Sequence, residues 1–461
     1  MVARRTRTQR RQLEDLACVH PNAAGLDIGS EMIVAAVPPD RDPEPVRAFA
    51  TFTPDLHALV AWLLACSIDT VAMESTGVYW IAIYELLEQA GITSYLVNAG
   101  HVKTVPGRKS DWNDAQWLQK LHMLGLLRAS FRPDAEIRSL RVLARHRAEL
   151  IQHRAPHILH MQQALKLMNI QLSEVLSDIT GMTGQAIVRA IVAGERDPAK
   201  LAELRHVGCK HTEAEIIKAL TGTWQDAQIF ILGQNLQLYD FYTAQLSSCD
   251  REMERSYQAM ESRHEKDAPL PDLPKAKPGS RSKNEPNFNV RAQLARIVGV
   301  DLVGVMGLSA SSAQTIITEI GTDMTRFPTV KHFCAWLGLA PRNDISGGKV
   351  LRSRTLKVRS RANQAFRQAA ESVARSQSSF GRYFRAMRAR LGPEQAIVAT
   401  AHKIARVVYH LLTTKEPYRE ECAEEAERKR HERELKQLAR RAQKLGYTLN
   451  PLAAPPSAPS P

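Results

Sequence analysis

Asp27, Glu74, Asp111 and Asp114 are the residues of this chain best suited to chemistry. Four carboxylates gathered at one point repel one another and would hold protons unless a cation neutralised them. An all-oxygen ligand set favours Mg²⁺ or Mn²⁺. Two such ions can activate a nucleophile and stabilise the leaving oxygen of a phosphodiester. The spacing therefore points to phosphoryl transfer, with the four acids as catalytic groups and metal ligands. Taken singly, each has a bland alternative: Glu74, followed by Ser75, Thr76 and Gly77, could simply end a strand and cap a helix. Together, each at the expected element of one fold, they outweigh it.

The elements that must position them can be read around each acid. Asp27 ends the apolar run AAGLDI (Ala23 to Ile28), and Glu74 follows another, TVAM (Thr70 to Met73). Asp111 and Asp114 lie in KSDWNDAQWLQKL, a helix start, and residues three apart on a helix share a face. Further strands are expected at Met32 to Val37, Val46 to Phe52 and Thr93 to Val97, with helices at Leu56 to Cys66 and Tyr79 to Gln89. Three strands followed by alternating helices and strands is the order of an RNase H-like α/β domain. Its first strand lies centrally, so Asp27 would neighbour the end of the Glu74 strand. The stretch HVKTVPGRKSDWNDA also sets Lys103, Arg108 and Lys109 beside the acids, either as phosphate contacts or as a solvated basic loop.

At 461 residues the chain should hold two or three domains. Its 62 Lys+Arg against 48 Asp+Glu give a net charge of +14, which favours a polyanionic partner. No apolar run approaches the ~20 residues that span a bilayer. The basic start MVARRTRTQRRQLEDL has no hydrophobic stretch behind it, so no membrane partner or secretion is expected and the chain is assigned to the cytoplasm. The six cysteines, Cys18, Cys66, Cys209, Cys249, Cys334 and Cys422, are far apart without a CxxC pair and read as reduced structural thiols.

From 131 to 265 the signal is helical. Leu232, Tyr239, Leu246, Met253 and Met260 recur every seven residues, as in a coiled-coil seam; Leu236 and Tyr257 fit the companion positions, and Asp250 does not. Packing within one chain and a dimerising coiled coil both account for the pattern. A basic helix from Ala135 to Ile170 should be kinked or broken by Pro156. Residues 266–290, rich in proline, read as a linker. A second, mostly helical unit is expected over 291–414, and 415–461 as a solvated charged helix with a disordered end.

In that second unit, ARIVGVDLVGVMGLSASSAQTIITEIG has a Gly-containing turn, Gly299 to Gly304, like that of a helix-hairpin-helix; ordinary helix-turn-helix packing explains it equally. Beyond Pro341 a loop from Asn343 to Lys349 carries Ser346, Gly347 and Gly348. Arg342, Lys349, Arg352, Arg354, Lys357, Arg359 and Arg361 surround it with only Asp344 in opposition, a density suited to phosphate contact. On local sequence alone a loop serine is a turn residue.

The order GLDIGS, MESTGVYW, PGRKSDWNDA, a helical connector, TEIGTDMTRFP, WLGLAPRNDISGG and a basic stretch resembles the DEDD transposases of bacterial insertion sequences, the group that includes the bridge-RNA-guided recombinases. The resemblance covers roughly 20–130 and 291–414. It implies a RuvC-like domain with the acidic tetrad Asp27, Glu74, Asp111 and Asp114, and a C-terminal transposase domain whose serine falls on Ser346. It further implies recombination through a covalent serine–DNA intermediate, DNA at the element ends and target, a noncoding guide RNA from the same element, a dimer or tetramer, and residence at the nucleoid during the reaction. A serine nucleophile conserves the phosphodiester energy for rejoining. The chain departs from its relatives in a longer connector and linker, in LKVRSRANQ where they often carry glycine after the lysine, and in its tail after Pro417. Two other functions compete: a RuvC-like nuclease that uses water and needs no serine, and a non-catalytic nucleic-acid-binding protein, against which four intact acids argue.

Overall fold

The structure, a computed structural model, describes residues 16–74, 77–98, 114–263, 283–355, 358, 360–420 and 423–449. The chain divides into two compact units, Met1–Arg132 and Pro133–Pro461.

The first unit is built on five strands, β1 (Ala23–Ile28), β2 (Met32–Ala36), β3 (Val46–Ala50), β4 (Thr70–Glu74) and β5 (Thr93–Val97), in the order β3-β2-β1-β4-β5. The first three form an antiparallel meander, whereas β4 and β5 run parallel to β1. Parallel neighbours need crossovers, and α1 (Thr53–Ala65) and α2 (Trp80–Gln89) supply them. Ala24, Leu26 and Ile28 of β1 and Val71 and Met73 of β4 pack with Leu59, Leu63, Ile83 and Leu87 of these helices. The alternate residues face the other way. There Ala72 and Val97 pack against Trp117, Leu118 and Leu121 of α3 (Asp114–Met123).

Helix α3 lies at backbone distance from β1, because a Cβ at Gly25 would overlap the Ala115 carbonyl and the Gln119 amide nitrogen. Gln119 adds a hydrogen bond from its side-chain amide to the Ala23 carbonyl, 3.2 Å. Gly25→Ala should cost roughly 3 kcal/mol, as over-packing of a close contact does. A denaturant melt checks this, and an unaltered midpoint would mean that helix and strand have room to spare.

The second unit opens with a long helix, α4 (Ala135–Leu167), followed by α5 (Leu172–Val175), α6 (Met182–Val192), α7 (Pro198–Glu203), α8 (Glu213–Leu220) and a second long helix, α9 (Asp226–Ala259). The two long helices pair antiparallel, Leu143 meeting Cys249, Arg147 meeting Asp250 and Arg154 meeting Thr243. The heptad seam is thus filled from within the chain: Leu232, Leu236, Tyr239, Leu246, Met253 and Tyr257 are buried. Asp250, the misfit of the pattern, is 2% exposed, accepting from Arg147 Nε at 2.5 Å and from the Asn287 backbone N–H at 2.9 Å. Removing one partner of such a pair is far more damaging than replacing both.

Two expectations need correction. Pro156 does not break the helix, which continues from Ala135 to Leu167. The carbonyl deprived of its donor belongs to Gln152, on an exposed side of the helix where water can replace the lost bond. The expected linker also ends early. Asn284 accepts from Arg147, and Phe288 is buried, so packed structure resumes before residue 290.

Helices α10 (Val290–Val298) and α11 (Ala310–Ile320) follow, α10 ending on Gly299 in the left-handed region at φ 75°. Arg141 donates to the Thr318 and Glu319 carbonyls and Arg145 to the Glu319 carboxylate, fastening α11 to α4. After α12 (Val330–Trp336) the chain forms a hairpin of β6 (Pro341–Ser346) and β7 (Lys349–Thr355), then α13 (Arg361–Ser372), α14 (Ser379–Leu391), α15 (Pro393–Thr414) and α16 (Ala423–Lys444). The result is an α/β domain followed by a mostly helical region. Among the described residues no helix is long and apolar enough to cross a membrane.

Candidate active site

Asp27 and Glu74 sit at the ends of adjacent parallel strands. Leu26 is in register with Met73, so the next residues on each strand are neighbours. Because side chains alternate along a strand, Asp27 lies on the same face as Gly25, and Glu74 on the same face as Ala72. That is the face covered by α3. Ala115 covers Gly25, and Asp114, one residue earlier, is the first residue of the helix. Three acids from three chain segments thereby meet at one end of the sheet.

Their proximity shows in Asp27. Its carboxyl is held above the usual aspartate range, first by burial and then by the negative charges of Asp114 and Glu74. Concentrated negative charge of this kind is what a cation relieves, so the donor set suits a hard divalent ion. Among the described residues no three acids close into a ready-made coordination shell. Asp111, Lys103, Arg108 and Lys109 lie outside the described residues, as do Lys357 and Arg359.

Ser346 belongs to the second unit. The sequence places it in a loop, and the structure places it on the last residue of β6. Gly347 and Gly348, at φ 55° and 76°, form the two-residue turn that hairpins favour because its twist matches that of the strands. The Ser-Gly-Gly-Lys step is the signal that the loop assignment overlooked. Ser346 pairs in register with Lys349, Asp344 with Arg352, and Arg342 with Arg354. Every residue of both strands is exposed.

The other serines nearby have duller positions. Ser353 sits mid-strand opposite Asn343, and Ser360 caps α13, its hydroxyl accepting from the Asn363 N–H at 3.4 Å. Arg361, exposed, is the first residue of that helix.

Two family models match the chain. One, a DEDD-type model described as transposase, covers residues 24–170; the other, described as the transposase IS116/IS110/IS902 family, covers 301–385. The chain belongs to the IS110 family of transposases. It is therefore a DNA-binding enzyme of transposition and recombination, the product of an insertion sequence. The first match takes in the whole acidic face and all of α4, and the second takes in the hairpin. A DEDD nuclease-like domain also entails the use of a divalent metal. No curated protein matches this transposase.

Proposed function

We propose that this transposase cuts and rejoins DNA through a covalent serine–DNA intermediate, with Ser346 as nucleophile and Asp27, Glu74, Asp111 and Asp114 as the ligands of Mg²⁺ or Mn²⁺. The observation that carries it is the convergence of Asp27, Glu74 and Asp114, from β1, β4 and α3, on one end of one sheet face. When bound, the metal supplies positive charge for a phosphate under attack. In the step itself the Ser346 oxygen forms a bond to phosphorus as one sugar oxygen leaves. The serine proton passes to a nearby carboxylate or water, and the departing oxygen takes up another. Reversal by a different sugar hydroxyl rejoins the strand and frees the serine.

Phosphate contacts are assigned to Arg342, Lys349, Arg352, Arg354 and Arg361, in support of which all five are exposed, and to Lys103, Arg108, Lys109, Lys357 and Arg359. The same reading takes a noncoding RNA of the element as a partner and a dimer or tetramer as the working form. The +14 charge supports polyanionic partners in general.

The test is a reaction of the purified protein with a plasmid carrying the element's ends. Rejoined junctions are expected, together with a detergent-stable protein–DNA adduct, both lost when the divalent ion is chelated. Cleavage with no adduct would select the water-using nuclease instead. Retention of DNA without cleavage in any divalent ion would select the non-catalytic binding protein.

A further inference from the structure

A cleft of about 1210 Å³ opens in the second unit, and neither the acidic tetrad nor the hairpin contributes to it. Its walls are α14, α15 and the segment that follows, and apart from Val330 and Tyr383 its lining falls outside both family matches. The segment is held in place at several points. Lys415 turns the chain out of α15 in the left-handed conformation, φ 62°, and donates from Nζ to the Val298 carbonyl at 2.9 Å. Tyr418 stacks on Phe380 with ring centroids 6.4 Å apart and planes 10° from parallel. Glu420 accepts from the Ser379 N–H at 3.0 Å. The cleft is thus a built feature of the fold.

Its lining combines cations and rings: Lys403, Arg406 and Arg419 with Tyr383, Tyr409 and Tyr418. Lys403 stands over Tyr383, Nζ 4.6 Å from the ring centroid. Among the lining residues Lys403, Arg406 and Arg419 stand against a single acid, Glu416. That imbalance selects a polyanion. A duplex keeps its bases stacked inside and would offer the rings nothing. A single strand presents both phosphates and base faces, the pair of features that mixed cationic and aromatic grooves bind.

We infer that this cleft holds a single-stranded polynucleotide segment, RNA or DNA, through residues that belong to neither the acidic tetrad nor the hairpin. The inference does not depend on serine chemistry or on a guide RNA.

The test uses the full-length protein, labelled single-stranded RNA and DNA oligonucleotides, and a duplex of equal length, followed by fluorescence anisotropy over a range of salt. The double variant Arg406→Ser/Arg419→Ser alters two exposed side chains. It should bind single strands at least tenfold more weakly, with a salt slope shallower by about 1.4 for two lost phosphate contacts, and should bind duplex as the wild type does. The RNA and DNA arms tell which strand is preferred. A photoactivatable pyrimidine in the strand should cross-link to peptides between residues 379 and 419. Single-strand affinity unchanged in the double variant, an equal loss for duplex, equal competition by oligoglutamate, or cross-links only elsewhere would each overturn the assignment.

Discussion

Asp27→Asn is expected to lower metal-dependent strand exchange on the order of 10³-fold or more while raising the melting temperature of the metal-free protein. The first effect follows from removing a ligand charge without changing shape: the site keeps its form and loses its hold on the ion. The second follows from the carboxyl's position. Burial and the charges of Asp114 and Glu74 raise the Asp27 pKa in the folded state above its ordinary value. Below that ordinary value the group is protonated whether the chain is folded or unfolded, and it costs nothing. As pH rises past it, the unfolded chain ionises first, so the folded state is penalised at neutral pH. An amide escapes the penalty. The gain should therefore be present at pH 7, vanish near pH 3, and disappear for the wild type when Mg²⁺ is added. Strand exchange assays and paired melts at two pH values check both parts. A variant that recombines normally would remove Asp27 from the metal site, and one that melts lower at pH 7 would remove the electrostatic account.

Ser346→Ala should reduce strand exchange on the order of 10⁴-fold or more and eliminate the covalent adduct, since loss of a nucleophile takes the chemical step with it. Affinity for DNA should stay within roughly twofold, the range of an exposed substitution that removes no charge. Ser346 ends β6 beside a turn of two glycines, exposed and opposite Lys349, so the missing hydroxyl leaves no cavity. Digesting the trapped wild-type adduct and locating the modified peptide by mass spectrometry decides between this serine and its neighbours. An adduct mapped to Ser353, or one that persists in the variant, would relocate the nucleophile.

The acidic face could be read from sequence because each acid is adjacent to a strong local signal. The strands Ala23–Ile28 and Thr93–Val97 occur at the residues their apolar runs predict. Pairing of parallel neighbours then brings Asp27 to Glu74 without any long loop to place. The hairpin could not be read in the same way. Its strands bury nothing, so Ile345, Val350 and Leu351 carry no alternation against a core, and the arginines between them mask the strand pattern. Asp250 misled for the opposite reason: it lies on the buried seam, and the group that makes this tolerable, Arg147, comes from a helix far away in sequence. The close approach at Gly25 was equally invisible, since only the path of α3 reveals what a methyl group would strike.

The bareness of the β6–β7 arm has a consequence for fidelity. A lone two-stranded hairpin in water is marginally stable at best, and this one has Ile345 62% and Leu351 72% exposed. Ordering such an arm on DNA subtracts from the affinity it contributes. If Ser346 is the nucleophile as proposed, weak engagement of any arbitrary sequence ends before the serine can settle against a phosphate, whereas a correct site, gripped elsewhere as well, outlasts the delay. Stiffening the arm in isolation would shorten that pause for every sequence alike, making the enzyme faster and less discriminating at once.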